Sequence, residues 1–144
     1  MKQKPEIGKA ILFGLSSFIA YYICYFVLAF VSTLVFAVLA FVPVVNRIVD
    51  ALFRMRGDSP SIFIVFMSVI FSYHAAKWVI ERFCDYASTE KLSLRIAGVV
   101  LILYNVLLLV RNISSGVSFF PNILSSIAGI VLILSSNNLS QEEQ

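Results

Sequence analysis

Four long apolar segments dominate the chain, and short polar stretches separate them. The first is the longest, because the 36 residues from Ala10 to Val45 contain no formal charge. As an α-helix it would extend roughly 54 Å, whereas the hydrocarbon core of a bilayer is about 30 Å thick. The pattern predicts an all-α integral membrane protein with four transmembrane helices, of which the first is long.

The predicted spans cover residues 10–42, 60–80, 94–111 and 117–136 of a single membrane domain. The second helix is expected to continue into water as a cytosolic extension over residues 81–87.

Polar residues mark the predicted connections between these spans. Ser88-Thr-Glu-Lys91 favours a turn before the third helix, and Ser93 is suited to cap that helix. Asn112 to Gly116 is expected to form the loop before the fourth span. Pro121 falls in the first turn of the fourth helix, where proline is well tolerated.

The length of the first segment leaves two geometries to compare, one long helix or a hairpin of two short spans turning near Ser32 and Thr33. Residues Ala29–Ala40 contain no Gly, Pro, Asn or Asp to make such a turn. We therefore predict a single helix and four spans rather than five. Pro43 lacks a backbone donor and is expected to break or kink this helix.

A short amphipathic helix is predicted over residues 44–56. One side carries apolar residues, namely Val44, Val45, Ile48, Val49, Leu52 and Met55, and most of the other side is charged or polar. This pattern is typical of a helix that lies in the membrane interface. A continuation of the first helix that packs against its neighbours fits the pattern equally well.

Composition points to a membrane protein as well, since 60% of the residues are hydrophobic, 13% are charged and the mean hydropathy is +0.92. So little polar surface cannot cover a water-soluble globule. The two cysteines, Cys24 and Cys84, form no CxxC pair and no metal-ligand spacing, so we expect reduced thiols and no metal or cofactor. No nucleophile with a base and no acidic pair is arranged for catalysis, so we expect no enzymatic activity.

The distribution of basic residues predicts the orientation in the membrane. With a cytosolic N-terminus, four spans place seven basic residues inside and four outside. A five-span arrangement also gives seven to four, so charge alone does not choose between them. We expect a multi-pass protein with both termini cytosolic, and its small size suggests a bacterial inner membrane.

The candidate pore or pathway residues carry the few polar side chains within or beside the second and third spans; they are Ser68, Ser72, Tyr73, His74, Lys77, Glu81 and Asn105. Helical spacing places Tyr73, His74, Lys77 and Glu81 on one face. Four of these residues also have a purely structural interpretation. His74 and Asn105 are suited to hydrogen bonds with a neighbouring helix, and Lys77 with Glu81 is suited to a solvated helix end.

Two further groups complete the candidates. Arg82, Lys91 and Arg95 form a basic region suited to an anionic ligand such as a nucleotide, an oligonucleotide or a lipid head group, although the chain has no duplex nucleic-acid motif. Small residues that permit close helix packing are Gly14, Gly98, Ser125 and Gly129.

Together these features favour a homo-oligomeric pore or channel subunit with a basic cytosolic mouth. Four helices hardly enclose an aqueous path alone, so self-association or another membrane subunit is expected within the bilayer. One alternative is a structural or assembly subunit of a larger membrane complex. A small transporter is less favoured, because the apolar spans carry no Asp or Glu in mid-membrane.

Overall fold

The computed structural model describes residues 6–39, 41, 62–116 and 119–138, and these residues form four α-helices and no strand. The helices are α1 (Ile7–Leu39), α2 (Ile62–Phe83), α3 (Ala87–Ser115) and α4 (Phe120–Asn138). Each is long and apolar enough to cross a membrane. The predicted set of four long apolar helices is therefore confirmed.

The first segment is one continuous helix of 33 residues. At the position of the alternative hairpin turn, the Thr33 hydroxyl donates to the Ala29 carbonyl at 2.8 Å, a contact of one helical turn. The single-helix prediction is confirmed and the hairpin is excluded. The predictions for Pro43, for the amphipathic helix over 44–56 and for a second helix starting at Pro60 concern positions outside the described residues.

The turn between α2 and α3 lies earlier than predicted. The polar run at 88–91 forms the first turn of α3, and the chain reverses at Cys84–Tyr86 instead. Tyr86 is extended (φ −130°, ψ 132°), and its carbonyl accepts the amides of Thr89 and Glu90 at 3.0 and 2.9 Å. The prediction was wrong because serine, threonine and glutamate suit the first turn of a helix as well as a loop.

Three further predictions about helix ends differ from the structure. The extension of α2 ends at Phe83 rather than at residue 87. Ser93 lies inside α3 and does not cap it, since its hydroxyl donates to the Thr89 carbonyl at 2.8 Å. The predicted loop at 112–116 is helical up to Ser115, where Gly116 (φ 68°) ends the helix in the left-handed conformation that glycine adopts without strain.

The four helices run alternately up and down, so that the N-terminal ends of α1 and α3 meet the C-terminal ends of α2 and α4. Three contacts fix this arrangement. The Glu6 amide donates to Thr89 Oγ1 at 3.3 Å, the Phe13 and Phe83 rings stack at 6.5 Å, and Arg95 reaches Asn137 at 2.8 Å. The α3–α4 pair packs most extensively, followed by α1 with α2 and α1 with α3.

The interior of the bundle contains many small and polar side chains beside its apolar core, whereas its outer surface is dominated by large apolar side chains. Its buried positions include serines, asparagines, alanines and glycines, whereas bulky side chains such as Phe26, Phe30 and Leu107 are more than three-fifths exposed. A soluble bundle shows the reverse distribution. Helices in lipid gain little from burying leucine against leucine, so they associate through small residues and hydrogen bonds instead.

Gly98 of α3 and Gly129 of α4 bring the two helices into backbone contact. A Cβ atom built on Gly98 would lie 2.6 Å from the Gly129 carbonyl oxygen, and one built on Gly129 would lie 2.9 Å from the Gly98 carbonyl oxygen. Gly14 plays a similar role between α1 and α3, since its Cβ would lie 2.8 Å from Ile96 Cγ2. Any side chain at Gly98 would therefore push against backbone that cannot yield.

We expect Gly98→Ala to lower the free energy of unfolding by about 1–3 kcal/mol, because the added methyl group forces α3 away from α4. Thermal unfolding in detergent, followed by helical circular dichroism, measures the effect. Gly8→Ala is the matched control, since a Cβ at Gly8 meets nothing within 4 Å. Equal melting temperatures for the two variants would contradict the close packing.

Candidate functional site

The most distinctive feature of the bundle is its polar interior. Among the described residues, ten buried ones carry hydroxyl or amide side chains, namely Ser17, Tyr21, Ser68, Ser72, Thr89, Ser93, Asn105, Asn122, Ser125 and Ser136. They come from all four helices. Spacings of three or four residues on α3 and α4 place them on the face that each helix turns to the others.

Hydrogen bonds between helices connect several of these side chains. The Ser17 hydroxyl of α1 donates to the Ala76 carbonyl of α2 at 2.7 Å. The fully buried Tyr21 of α1 donates its hydroxyl proton to Ser125 Oγ of α4 at 2.9 Å. Tyr21 thus spans the bundle interior and joins helices that are not close neighbours.

Three buried polar atoms form no hydrogen bond within the described part of the chain, namely the Tyr22 hydroxyl, Ser72 Oγ and Asn122 Nδ2. The Tyr22 hydroxyl lies beside the Asn105 side chain, but without the geometry of a hydrogen bond. Asn105 instead donates from Nδ2 to the Leu101 carbonyl of its own helix at 2.8 Å. A polar group buried without a partner costs about 1–3 kcal/mol, so the interior is suited to a polar guest such as water.

The predicted pathway residues separate into two groups rather than lining one surface. Ser68, Ser72 and Asn105 lie inside the bundle and are at most 2% exposed. His74 and Glu81 lie on the outer surface of α2. Ser72 and His74 occupy different sides of α2, because residues two positions apart lie about 200° apart around a helix.

On the outer side of α2, Tyr73 and His74 pack edge to face with ring centroids 5.2 Å apart. The half-buried Tyr73 also shares a hydrogen bond with Ser135 of α4, with 2.9 Å between Oη and Oγ. One turn further, Lys77 Nζ lies 3.4 Å from Glu81 Oε1, and both side chains are partly exposed. An ion pair of this kind contributes only about 0.3–0.5 kcal/mol.

Charged side chains gather at one end of the bundle. Five basic and four acidic residues occupy this charged end, namely Lys9, Lys77, Arg82, Lys91, Arg95, Glu6, Glu81, Asp85 and Glu90. Arg111, near the C-terminus of α3, is the one charged residue of the described part that lies toward the opposite end. The charged end is thus mixed in sign, with a small excess of positive charge.

The three residues predicted to hold an anion all lie at this charged end but differ in their surroundings. Arg82 is exposed near the end of α2. Arg95 of α3 donates from Nε to Ser136 Oγ at 3.2 Å and from a terminal nitrogen to Asn137 Oδ1 at 2.8 Å, which ties it to α4. Lys91 is half-buried in the first turns of α3.

Cys84 lies in the turn between α2 and α3, and its Sγ atom is 3.7 Å from Ser93 Oγ. Burial raises the pKa of the Cys84 thiol, and the negative charges of Glu90 and Asp85 raise it further, against an opposing effect of Ser93. A thiol whose pKa is raised remains protonated at neutral pH and reacts slowly. Neither cysteine forms a disulfide.

No group of three or more His, Cys, Asp or Glu side chains among the described residues is arranged to hold a metal ion. The interior residues that the sequence analysis overlooked include Ser17, Tyr21 and Asn122. Their signal was present as polar residues three or four positions apart, as in Ser17 and Tyr21 on α1 and in Asn122 and Ser125 on α4. Such spacing within an apolar helix marks the face that packs against other helices.

We expect Cys84 to be alkylated with a pH midpoint above the usual thiol value of about 8.5. The measurement uses iodoacetamide on the Cys24→Ser protein, so that Cys84 is the single reactive thiol. Glu90→Gln should lower the midpoint, because it removes a negative charge that opposes the thiolate, and Glu6→Gln is the control on α1. A midpoint at or below 8.5, or no response to Glu90→Gln, would contradict this description of the Cys84 environment.

Comparison with known proteins does not assign the chain to a family. The chain matches no protein-family model, no curated protein and no solved structure. The proposed function therefore depends on the polar interior, the charged end and the outer surface of the bundle.

Proposed function

We propose that the chain is a non-enzymatic subunit of a homo-oligomeric membrane pore, and that the polar interior of each bundle supplies the permeation path. The supporting observation is the series of buried hydroxyl and amide groups, of which Ser72 and Asn122 have a polar atom without a hydrogen-bond partner among the described residues, as does the adjacent Tyr22 hydroxyl. Hydrocarbon helices that serve only as an anchor have no need for unpaired polar atoms, which cost free energy. A path for water or small ions would recover that cost.

The proposed path starts at the charged end and continues toward the opposite end. Thr89 and Ser93 lie on the first turns of α3, next to the charged end. Tyr21 and Ser125 meet further inside, and Asn122 lies in the first turn of α4 at the opposite end. The path thus differs from the sequence-based expectation that several chains are needed to enclose it, because its polar groups belong to the inside of one subunit.

The charged end forms the proposed cytosolic mouth. Its excess of basic residues attracts anions, and Arg82, Lys91 and Arg95 remain the candidates for binding an anionic regulator. Since two nitrogen atoms of Arg95 already contact α4, an anion bound there would also affect the α3–α4 contact. Oligomerisation in a bacterial inner membrane would place several such mouths side by side.

A structural or assembly subunit is the second candidate, and the second half of α1 favours it. No described residue of α1 after Tyr21 is buried, and Phe30, Leu34 and Val38 each expose half of their surface or more. Such a helix is suited to contact another membrane subunit. A small transporter remains a third possibility, although the acidic residues of the described chain all lie at the charged end, away from mid-span.

We expect purified protein in liposomes to conduct small ions, and Asn105→Leu to lower the flux by about tenfold or more. A tenfold loss corresponds to about 1.4 kcal/mol added to the barrier, a modest cost for replacing a central amide by hydrocarbon. Asn112→Leu makes the same substitution on the same helix outside the buried set and should leave the flux unchanged.

The same preparation separates the two leading candidates. A monodisperse oligomer with an Asn105-dependent flux supports the pore. Flux no greater than in protein-free liposomes, or a flux that Asn105→Leu does not change, would contradict it and favour the assembly subunit.

A further inference from the structure

An apolar groove of about 270 Å³ lies between α2 and α4 on the outside of the bundle. Phe66 and Ile70 line it from α2, and Leu124, Ile127 and Val131 line it from α4. It is open to the surroundings along its length. A groove on this surface faces the acyl chains of a bilayer once the helices span one.

The groove ends in polar side chains toward the charged end of the bundle. His74 lies at its rim, is exposed, and forms no hydrogen bond with any residue that the structure describes. Lys77 follows one turn later on the same face of α2. Its ammonium lies 3.4 Å from Glu81 Oε1 and also interacts electrostatically with Glu90 of α3. An ammonium carries three donors, so Lys77 can bind a second oxygen without losing Glu81.

The distances between these residues along α2 match the arrangement of an acyl chain and a head group in a lipid molecule. From His74 to Phe66 the groove is roughly 12 Å long, and from His74 to Glu81 the helix advances roughly 10 Å toward the charged end. A chain that lies in the groove would thus bring its head group to Lys77 and His74. The hydrocarbon part meets apolar walls, and the anionic part meets a cation and an imidazole.

We propose that this groove binds an anionic phospholipid of the surrounding bilayer. One acyl chain lies between α2 and α4, and the phosphate accepts hydrogen bonds from Lys77 and His74. An anionic head group has no positive charge of its own, so its phosphate depends on the donors of Lys77 and His74, whereas the ammonium of a zwitterionic head group competes for that role. This site is on the outside of the subunit and does not depend on the proposed pore.

Trp78 provides the test, because it is the single tryptophan of the chain, is 60% exposed and lies next to Lys77. The full-length protein is reconstituted in phosphatidylcholine vesicles that contain a minor fraction of brominated lipid, which quenches nearby tryptophan fluorescence. We expect brominated phosphatidylglycerol to quench Trp78 more than brominated phosphatidylcholine at the same fraction, by at least about twofold, as one partly exposed ion pair allows. Lys77→Gln should abolish the difference, and His74→Leu should reduce it.

Two matched pairs control this experiment. Lys9→Gln removes one positive charge from the same end of the bundle but on α1, and it should preserve the difference. Val131→Phe fills the groove and should reduce the difference, whereas Ile130→Phe adds the same ring at an exposed neighbouring position outside the groove lining.

Three outcomes would overturn the proposal. Equal quenching by the two brominated lipids means that the groove holds no selected head group. An equal loss in Lys9→Gln and Lys77→Gln means that only the overall charge attracts the lipid. Weak quenching by both lipids, together with an oligomer whose formation Val131→Phe prevents, means that a second copy of the chain occupies the groove.

Discussion

The close approach of α3 and α4 at Gly98 and Gly129 is the contact on which the rest of the bundle depends. Backbone atoms touch there, so the side chains on either side of the contact must be small or must extend along the interface. Arg95 can then reach Ser136 and Asn137 at one end. Ser125 lies near this contact on α4 and faces the bundle interior. There its Oγ atom accepts a hydrogen bond from the Tyr21 hydroxyl of α1.

This mode of packing explains why the interior is polar and the exterior apolar. Lipid tails are as apolar as leucine, so burying leucine in the bundle would gain little, while an interhelical hydrogen bond or a close backbone contact does gain free energy. Hydroxyl groups therefore collect inside, beside a few large residues such as Ile80 and Leu101, and most bulky side chains remain outside. The same rule leaves shallow grooves between helices on the outside, and one of them ends at His74 and Lys77. The proposed pore and the proposed lipid site are two consequences of one distribution of side chains.

The sequence predicted the helices better than it predicted what they surround. Long uncharged runs identify all four helices, and the absence of turn residues between 29 and 40 identifies the single long α1, because hydrocarbon length and turn chemistry are local properties. The turn at Cys84–Tyr86 was missed, since it contains no glycine or proline. The division of α2 into an inner face with Ser72 and an outer face with His74 also required the structure, because it depends on where α1 and α4 pack.

Access of water to the interior decides whether the bundle contains a polar path. In a Cys24→Ser, Cys84→Ser background, Ser72→Cys places a thiol inside the bundle and Phe71→Cys places one on the exposed apolar surface. A small water-soluble thiol reagent is added to the protein in liposomes, and modification is read by mass spectrometry. We expect the thiol at position 72 to be modified and the one at position 71 to remain unmodified. Modification of position 71 alone, or of neither position, would contradict a polar path through the bundle.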